Sequence, residues 1–252
     1  TQIKIPKPAN RLRLLIEQEN NNSGKRLHLK GRDTYPISND LYELTDLEIL
    51  DLTPEYKSGM AFTISKVPPE FQCLKNLKIL HLDNNNITSL PKEIGELHNL
   101  ERFTISNNHL RTLPNELRYL NKLQSIHLSN NHIEEFPLSI CYLNSLTFLD
   151  LCYNILKKLP KSIQHLKRLK TLLLLGNKLQ RLPNELCQLS VLETLWIGEN
   201  HITQLPVDFH LLNNLDWKDH YLSSNYDGNP LIQLPLTVYR KDMTVTEQHP
   251  RK

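Results

Sequence analysis

The sequence predicts a solenoid, a chain that grows by stacking one short unit on the next. Two observations carry this. The first is a fixed period: proline recurs at Pro91, Pro114, Pro137, Pro160, Pro183 and Pro206, each step being 23 residues. The second is a fixed template. Leu77 to Pro91 reads LKILHLDNNNITSLP, and the pattern LxxLxLxxNxLxxLP returns five more times, with Ile or Phe replacing some Leu. Its Asn falls at Asn85, Asn108, Asn131, Asn154, Asn177 and Asn200. Units that repeat in this way cannot bury an apolar face alone and form a continuous core by stacking.

Taken in order, residues 1–26 read as an extended lead-in followed by a short helix. Asn10 caps Arg11 to Glu19, whose Leu12, Leu15 and Ile16 share one face, suited to covering the open apolar end of the array. The solenoid spans residues 27–239, about nine repeats. The first repeat is degenerate: Leu27 and Leu29 fit the strand, but Arg32 stands at the Asn position and Tyr35-Pro36 replaces Leu-Pro. The second starts on Leu47, Leu50 and Leu52, carries extra residues from Thr53 to Thr63, and rejoins at Ile64, Val67 and Pro68. The last starts on Leu215 and is also expanded, over Asp216 to Tyr226, before recovering at Asn229, Leu231 and Leu234-Pro235. Residues 240–252 form a polar tail.

Each template letter has a physical task. The LxL leucines alternate with other residues as in a short strand with one buried face. After Pro, the xEIxxL pattern suits a helical turn or a short extended segment, with Ile94, Leu97 and Leu100 pointing inward. The Asn amide carries donors and an acceptor for backbone groups at the bend, so stacked repeats are expected to form a buried Asn ladder.

Composition narrows the function. Net charge is +3, too mild to argue for nucleic acid, and no apolar run reaches the length of a membrane span. The four cysteines, Cys73, Cys141, Cys152 and Cys187, do not cluster at either end. Cys141 and Cys187 fill one template slot two repeats apart, about 10 Å, which is too far to bond. Free thiols fit a reducing compartment. Asn21 and Asn86 are formal glycosylation acceptors of a kind that arises readily in Asn-rich sequence.

The template resembles the leucine-rich repeat family, in its 23-residue Leu-Pro-containing class, over Leu27 to Pro235. It is similar to small intracellular animal proteins of this class and to Scribble- and Erbin-like repeat domains; secreted bacterial proteins carry similar repeats. The resemblance implies an α/β horseshoe. A parallel sheet would line its concave face, with short helices, 3-10 turns or extended segments on the convex side. It also implies partner binding, commonly on the concave face.

On such a sheet the positions that the template leaves free face the concave side. The column between the two leucines reads His81, Thr104, His127, Asp150, Leu173 and Trp196. The column after them reads Asp83, Ser106, Ser129, Cys152, Leu175 and Gly198. The N-terminal half is polar, whereas the C-terminal half collects Phe148, Cys152, Tyr153, Leu173, Leu175, Trp196 and Trp217. Strand positions facing solvent have no folding reason to be Leu or Trp, so these seven are the expected protein-binding residues. The bland alternative is that the expanded last repeat or the tail covers them.

Other constellations weigh less. His127, Asp150 and Cys152 bring the parts of a nucleophilic site to one face, but an open sheet supplies no evident oxyanion hole; an exposed His–Asp hydrogen bond beside an ordinary thiol is the plainer reading. His109, His132 and His201 share the slot after the Asn, yet histidines converge only in pairs, short of a zinc site. A basic run, Lys157, Lys158, Lys161, Lys167, Arg168, Lys170, Lys178 and Arg181, reads first as a solvated outer face. The two insertions, near opposite ends, are long enough to project over the concave face. The expectation is a monomeric, non-catalytic, cytoplasmic scaffold or adaptor with a protein partner and no cofactor. A secreted or surface recognition protein is the alternative.

Overall fold

The computed structural model describes residues 25–29, 37–54, 63–216 and 224–232. The expected helix over 11–19, Trp217, most of both insertions and the tail lie outside the described residues. Within them the chain forms one eight-stranded parallel sheet in sequence order. The strands are β1 (Arg26–His28), β2 (Ile49–Asp51), β3 (Ile79–His81), β4 (Arg102–Thr104), β5 (Ser125–His127), β6 (Phe148–Asp150), β7 (Thr171–Leu173) and β8 (Thr194–Trp196). Register follows the template: Leu80 pairs with Phe103, Phe103 with Ile126, and Ile126 with Leu149. The solenoid with a parallel sheet is therefore as expected.

The segment after each template proline from Pro68 to Pro206 is a five-residue 3-10 helix, as at Lys92–Glu96, Asn115–Tyr119 and Asn184–Gln188. Proline at the N-cap supplies the extended φ that starts it, and the following Leu ends it: Leu97 sits at φ −80°, ψ 59°, the inverse γ conformation. That tight exit returns the chain to the next strand. Successive 3-10 helices stack on each other as the strands do. Between the two layers lies one core, in which Leu80, Leu82, Ile94, Leu97, Leu100 and their equivalents are fully buried.

The Asn ladder is continuous. Asn131 Oδ1 accepts from Leu110 N at 2.9 Å, and its Nδ2 donates to the carbonyls of Ile105, Leu128 and Ser129. Each amide thus ties its own bend to the preceding repeat. The ladder also bridges the irregular repeats: Asn85 accepts from Ile64 N, and Asn229 accepts from Ile202 N. The insertions therefore leave the stacking register intact. At the C-terminal end, Trp196 and Asn225 form a parallel bridge, and Ile197 N and Glu199 N donate to the carbonyls of Asn225 and Asp227.

One backbone feature was not read from the sequence. The residue before each ladder Asn has positive φ: Asn84 (60°), Asn107 (56°), Asn130 (53°), Tyr153 (52°), Gly176 (67°) and Glu199 (50°). Its N–H donates to the next repeat, as Asn107 N does to Ser129 O at 2.9 Å. Asn and Gly tolerate this left-handed conformation, whereas a bulky side chain there is strained. Tyr153→Asn is expected to raise stability by about 1 kcal/mol, read as a higher urea midpoint at unchanged slope.

Candidate interaction surface

The free strand positions divide the concave face into two chemistries. The N-terminal half is a closed polar network. Thr104 Oγ1 donates to Asp83 Oδ2, so the 2.9 Å contact with His81 Nδ1 requires that nitrogen to carry the proton. Asp83 Oδ1 accepts from Ser106 N at 2.6 Å, and Ser129 Oγ donates to Ser106 Oγ at 3.0 Å. These groups satisfy one another across three repeats. At the first strands, Asp51 takes Arg26 at 3.4 Å and Thr53 N at 3.0 Å.

The C-terminal half is apolar. Phe148 stacks on His127 with ring centroids 4.6 Å apart. Along the next strands Asp150 pairs with Leu173, and Leu173 with Trp196. Phe148, Leu173, Leu175 and Trp196 are all half-buried. None of the four belongs to the core cluster. Leu175 leans towards Gly198, its Cδ1 lying 2.9 Å from where a Cβ would stand. A larger residue at 198 would displace it. Trp196 also carries a backbone bridge to Asn225, so the closing segment borders this end of the patch.

Two of the seven expected binding residues sit differently. Cys152 is buried, with 5% exposure, and offers no contact area. It occupies the same column as Ser129 and Leu175, one repeat to either side. Burial and the Asp150 carboxylate push its thiol well above the ordinary range, so it is held protonated and is a poor nucleophile. Tyr153 is exposed but stands on the left-handed turn beyond the strand, at the rim of the concave face. Trp217 lies outside the described residues.

The remaining parts of a nucleophilic site do not converge. His127 and Asp150 are register partners, but His127 Nε2 meets Ser125 Oγ at 2.9 Å, while Asp150 Oδ1 accepts from Cys152 N. Burial holds the His127 imidazole below its ordinary pKa, against the pull of Asp150. Elsewhere, Cys141 accepts a hydrogen bond from Ser162, and burial raises the Cys187 thiol to about 11. The basic run is partly neutralised between repeats: Lys157 pairs with Glu134, Lys161 with Glu185 and Lys170 with Glu193. Such exposed pairs add little stability. Among the described residues, no helix is long and apolar enough to cross a membrane.

Residues 75–133 match a family model described as Leucine rich repeat, and residues 145–166 match a second described as Leucine Rich Repeat. Among curated proteins none matches. A solved Leptospira interrogans LRR protein is 34% identical, with a TM-score of 0.65 over 84% of this chain and 57% of that one. The plant peptide hormone receptor RGFR1, solved in complex with RGF2, is 22% identical, with a TM-score of 0.66 over 84% of this chain and 32% of its own. A TDR receptor is 23% identical, with a TM-score of 0.66 over 82% and 34%. The two receptors share the fold alone, and this chain spans little more than half of the Leptospira protein and about a third of each receptor. Repeat motif, sheet topology and structural likeness agree: the chain is built from leucine-rich repeats, stacked as the solenoid those structures share.

Proposed function

We propose that this chain is a non-catalytic protein–protein interaction module, a scaffold or adaptor that takes a protein partner on its concave face. The observation that carries this reading is the patch formed by Phe148, Leu173, Leu175 and Trp196. These are apolar side chains on the solvent side of a sheet whose core is already complete. Fully burying such side chains contributes about 1.5–3 kcal/mol each, and half-burial leaves part of that for a partner to collect. The polar network around Asp83 and Thr104 is satisfied internally and is better suited to a rim than to an energetic centre. The thiol chemistry also favours binding over catalysis, because Cys152 is held protonated.

The finer assignment rests on the template. Its 23-residue Leu-Pro step resembles that of Scribble- and Erbin-like repeat domains and small intracellular animal proteins of this type, which supports the scaffold reading. A monomer in the cytoplasm fits the unpaired thiols of Cys73, Cys141, Cys152 and Cys187. A second reading, a secreted or surface recognition protein of bacterial type, is favoured by the 34% identity to the Leptospira protein. A signal sequence ahead of Thr1 in the full reading frame would decide for the second.

Affinity capture tests the binding site. A Leu173→Asp/Leu175→Asp variant places charge in the patch without touching the core. It is expected to melt as wild type does and to lose captured partner by about a hundredfold or more. Undiminished recovery of the same partner would remove the concave patch from consideration.

A further inference from the structure

A second surface lies beyond the strand ends, on the left-handed turns. A groove of about 720 Å³ runs there across several repeats, lined among others by Asn107, Asn130, His109, His132, Tyr153 and Gly176. It is distinct from the Leu173–Leu175 patch, which does not line it.

Its lining is neutral. In a chain whose residues are 23% charged, no lysine, arginine or carboxylate lines this groove among the described residues. An ionic ligand would find no counter-charge. An apolar ligand would strip water from amides and imidazoles and return no hydrogen bond. Part of the polar lining is available: Asn107 donates to Asn84 at 2.7 Å, Asn86 donates to Thr63, and the ladder amides of Asn85, Asn108, Asn131 and Asn154 bind backbone, whereas the side chains of Asn130, His109 and His132 have no hydrogen-bond partner among the described residues. His109 and His132 stack on each other, 5.4 Å between centroids, and leave their ring nitrogens unengaged.

The groove ends on a built platform. At the turn position where three preceding repeats use Asn, this repeat carries Tyr153 at φ 52°, 48% exposed. The next repeat carries Gly176, and a Cβ there would stand 2.5 Å from Tyr153 Cδ1. The ring thus lies where only glycine leaves room for it. A strained aromatic kept in place by a glycine beside a polar groove is the arrangement that persists at ligand sites.

Spacing narrows the class. Equivalent side chains recur at the strand separation, about 4.8 Å, so every second turn, about 10 Å on, approaches the two-ring repeat of an extended β-1,4-linked glycan, in which alternate rings are flipped. An extended peptide repeats every two residues, about 6.7 Å, and falls out of step with the turns. We propose that this groove binds a neutral β-linked oligosaccharide along the solenoid, one sugar ring on Tyr153 and hydroxyls on Asn107, Asn130, His109 and His132. Hydroxyls both donate and accept, matching amides and imidazoles, and the C–H face of a pyranose suits an aromatic ring with a polar tip.

The test is titration of the ¹⁵N-labelled full chain with cellohexaose, laminarihexaose and chitohexaose, each to about 10 mM, followed by calorimetry of any that bind. At least one is expected to bind with a millimolar or tighter Kd and to shift the amides of Asn107, Asn130, His132 and Tyr153. Tyr153→Asn and Asn130→Gly both suit positive φ, so they keep the fold; each is expected to weaken binding by about fivefold or more. His132→Ala serves as a third variant, since that exposed side chain donates no hydrogen bond to the protein. The Leu173→Asp/Leu175→Asp variant is expected to bind sugar normally, which separates this site from the protein-binding face. The proposal is overturned if no sugar shifts these amides, if binding survives all three turn variants, or if a neutral Ser-Gly-Asn dodecapeptide binds there equally well.

Discussion

Phe103→Ala is expected to lower the unfolding free energy by about 4 kcal/mol, within the usual range for an emptied aromatic site. Phe103 occupies the inward slot of β4 and is one of the two largest fully buried side chains among the described residues. Its register neighbours in that slot are Leu80 and Ile126. Both are held on the far side by their own strands, so neither can collapse into the space without breaking backbone pairing. Phe103→Leu installs the template residue and is expected to cost about 1 kcal/mol, as near-conservative core exchanges do. Urea unfolding of both variants checks this, and equal losses would mean that the site is not packed as described. Because solenoid stability is a sum over repeats and their interfaces, the cavity weakens contacts on both sides of β4. A broadened transition in Phe103→Ala would show the array parting there.

Asn131→Leu is expected to cost about 3 kcal/mol, although it adds apolar surface to a buried position. Its amide closes four hydrogen bonds to backbone groups of two repeats, and the residue is 3% exposed. Leu cannot replace any of them. Leu110 N–H would remain buried without an acceptor, and each such orphan costs about 1–3 kcal/mol. Asn131→Asp is a useful companion: it keeps the acceptor for Leu110 but faces the carbonyls of Ile105 and Leu128 with negative charge, so it is expected to be at least as damaging as Leu. A denaturation midpoint unchanged from wild type in Asn131→Leu would contradict the ladder.

The repeating part of this fold was legible because each letter has one physical job. The LxL leucines, the ladder Asn and the Leu-Pro step identify the sheet, the buried amides and the start of each convex segment. Sequence left that segment open between a helical turn and an extended run, since Ile94 and Leu97 point inward in either. The inverse γ exit at Leu97 decides for 3-10 and is invisible in hydrophobic spacing. The left-handed column was in principle readable: Asn84, Asn107, Asn130 and Gly176 share one slot and are the residues that tolerate positive φ. Tyr153 and Glu199 in that slot hid it.

The candidate site was half legible for a related reason. Periodicity says which side of a strand faces the core, so Leu173 and Leu175 were placed on the concave face. It does not say how deep a short side chain sits. Cys152, two residues after Asp150, is buried and leaves the surface. Tyr153 follows at once, but the chain has by then left the strand, so it belongs to the rim rather than the sheet. Hydrogen bonding was least predictable. His127 and Asp150 are register partners, yet each bonds along its own strand, to Ser125 and to Cys152 N.

The proposed function lies in the letters that the repeat leaves free, and on the concave side above all. Photo-crosslinking reads that placement in one experiment. A benzoylphenylalanine at position 173, on the sheet face, is compared in cells with one at position 165, the exposed last residue of the convex 3-10 helix Lys161–His165. A discrete crosslinked partner from position 173, absent from position 165 and lost when Leu175→Asp is added, is the expected result. Crosslinks of the same partner from position 165, with none from 173, would contradict the concave site.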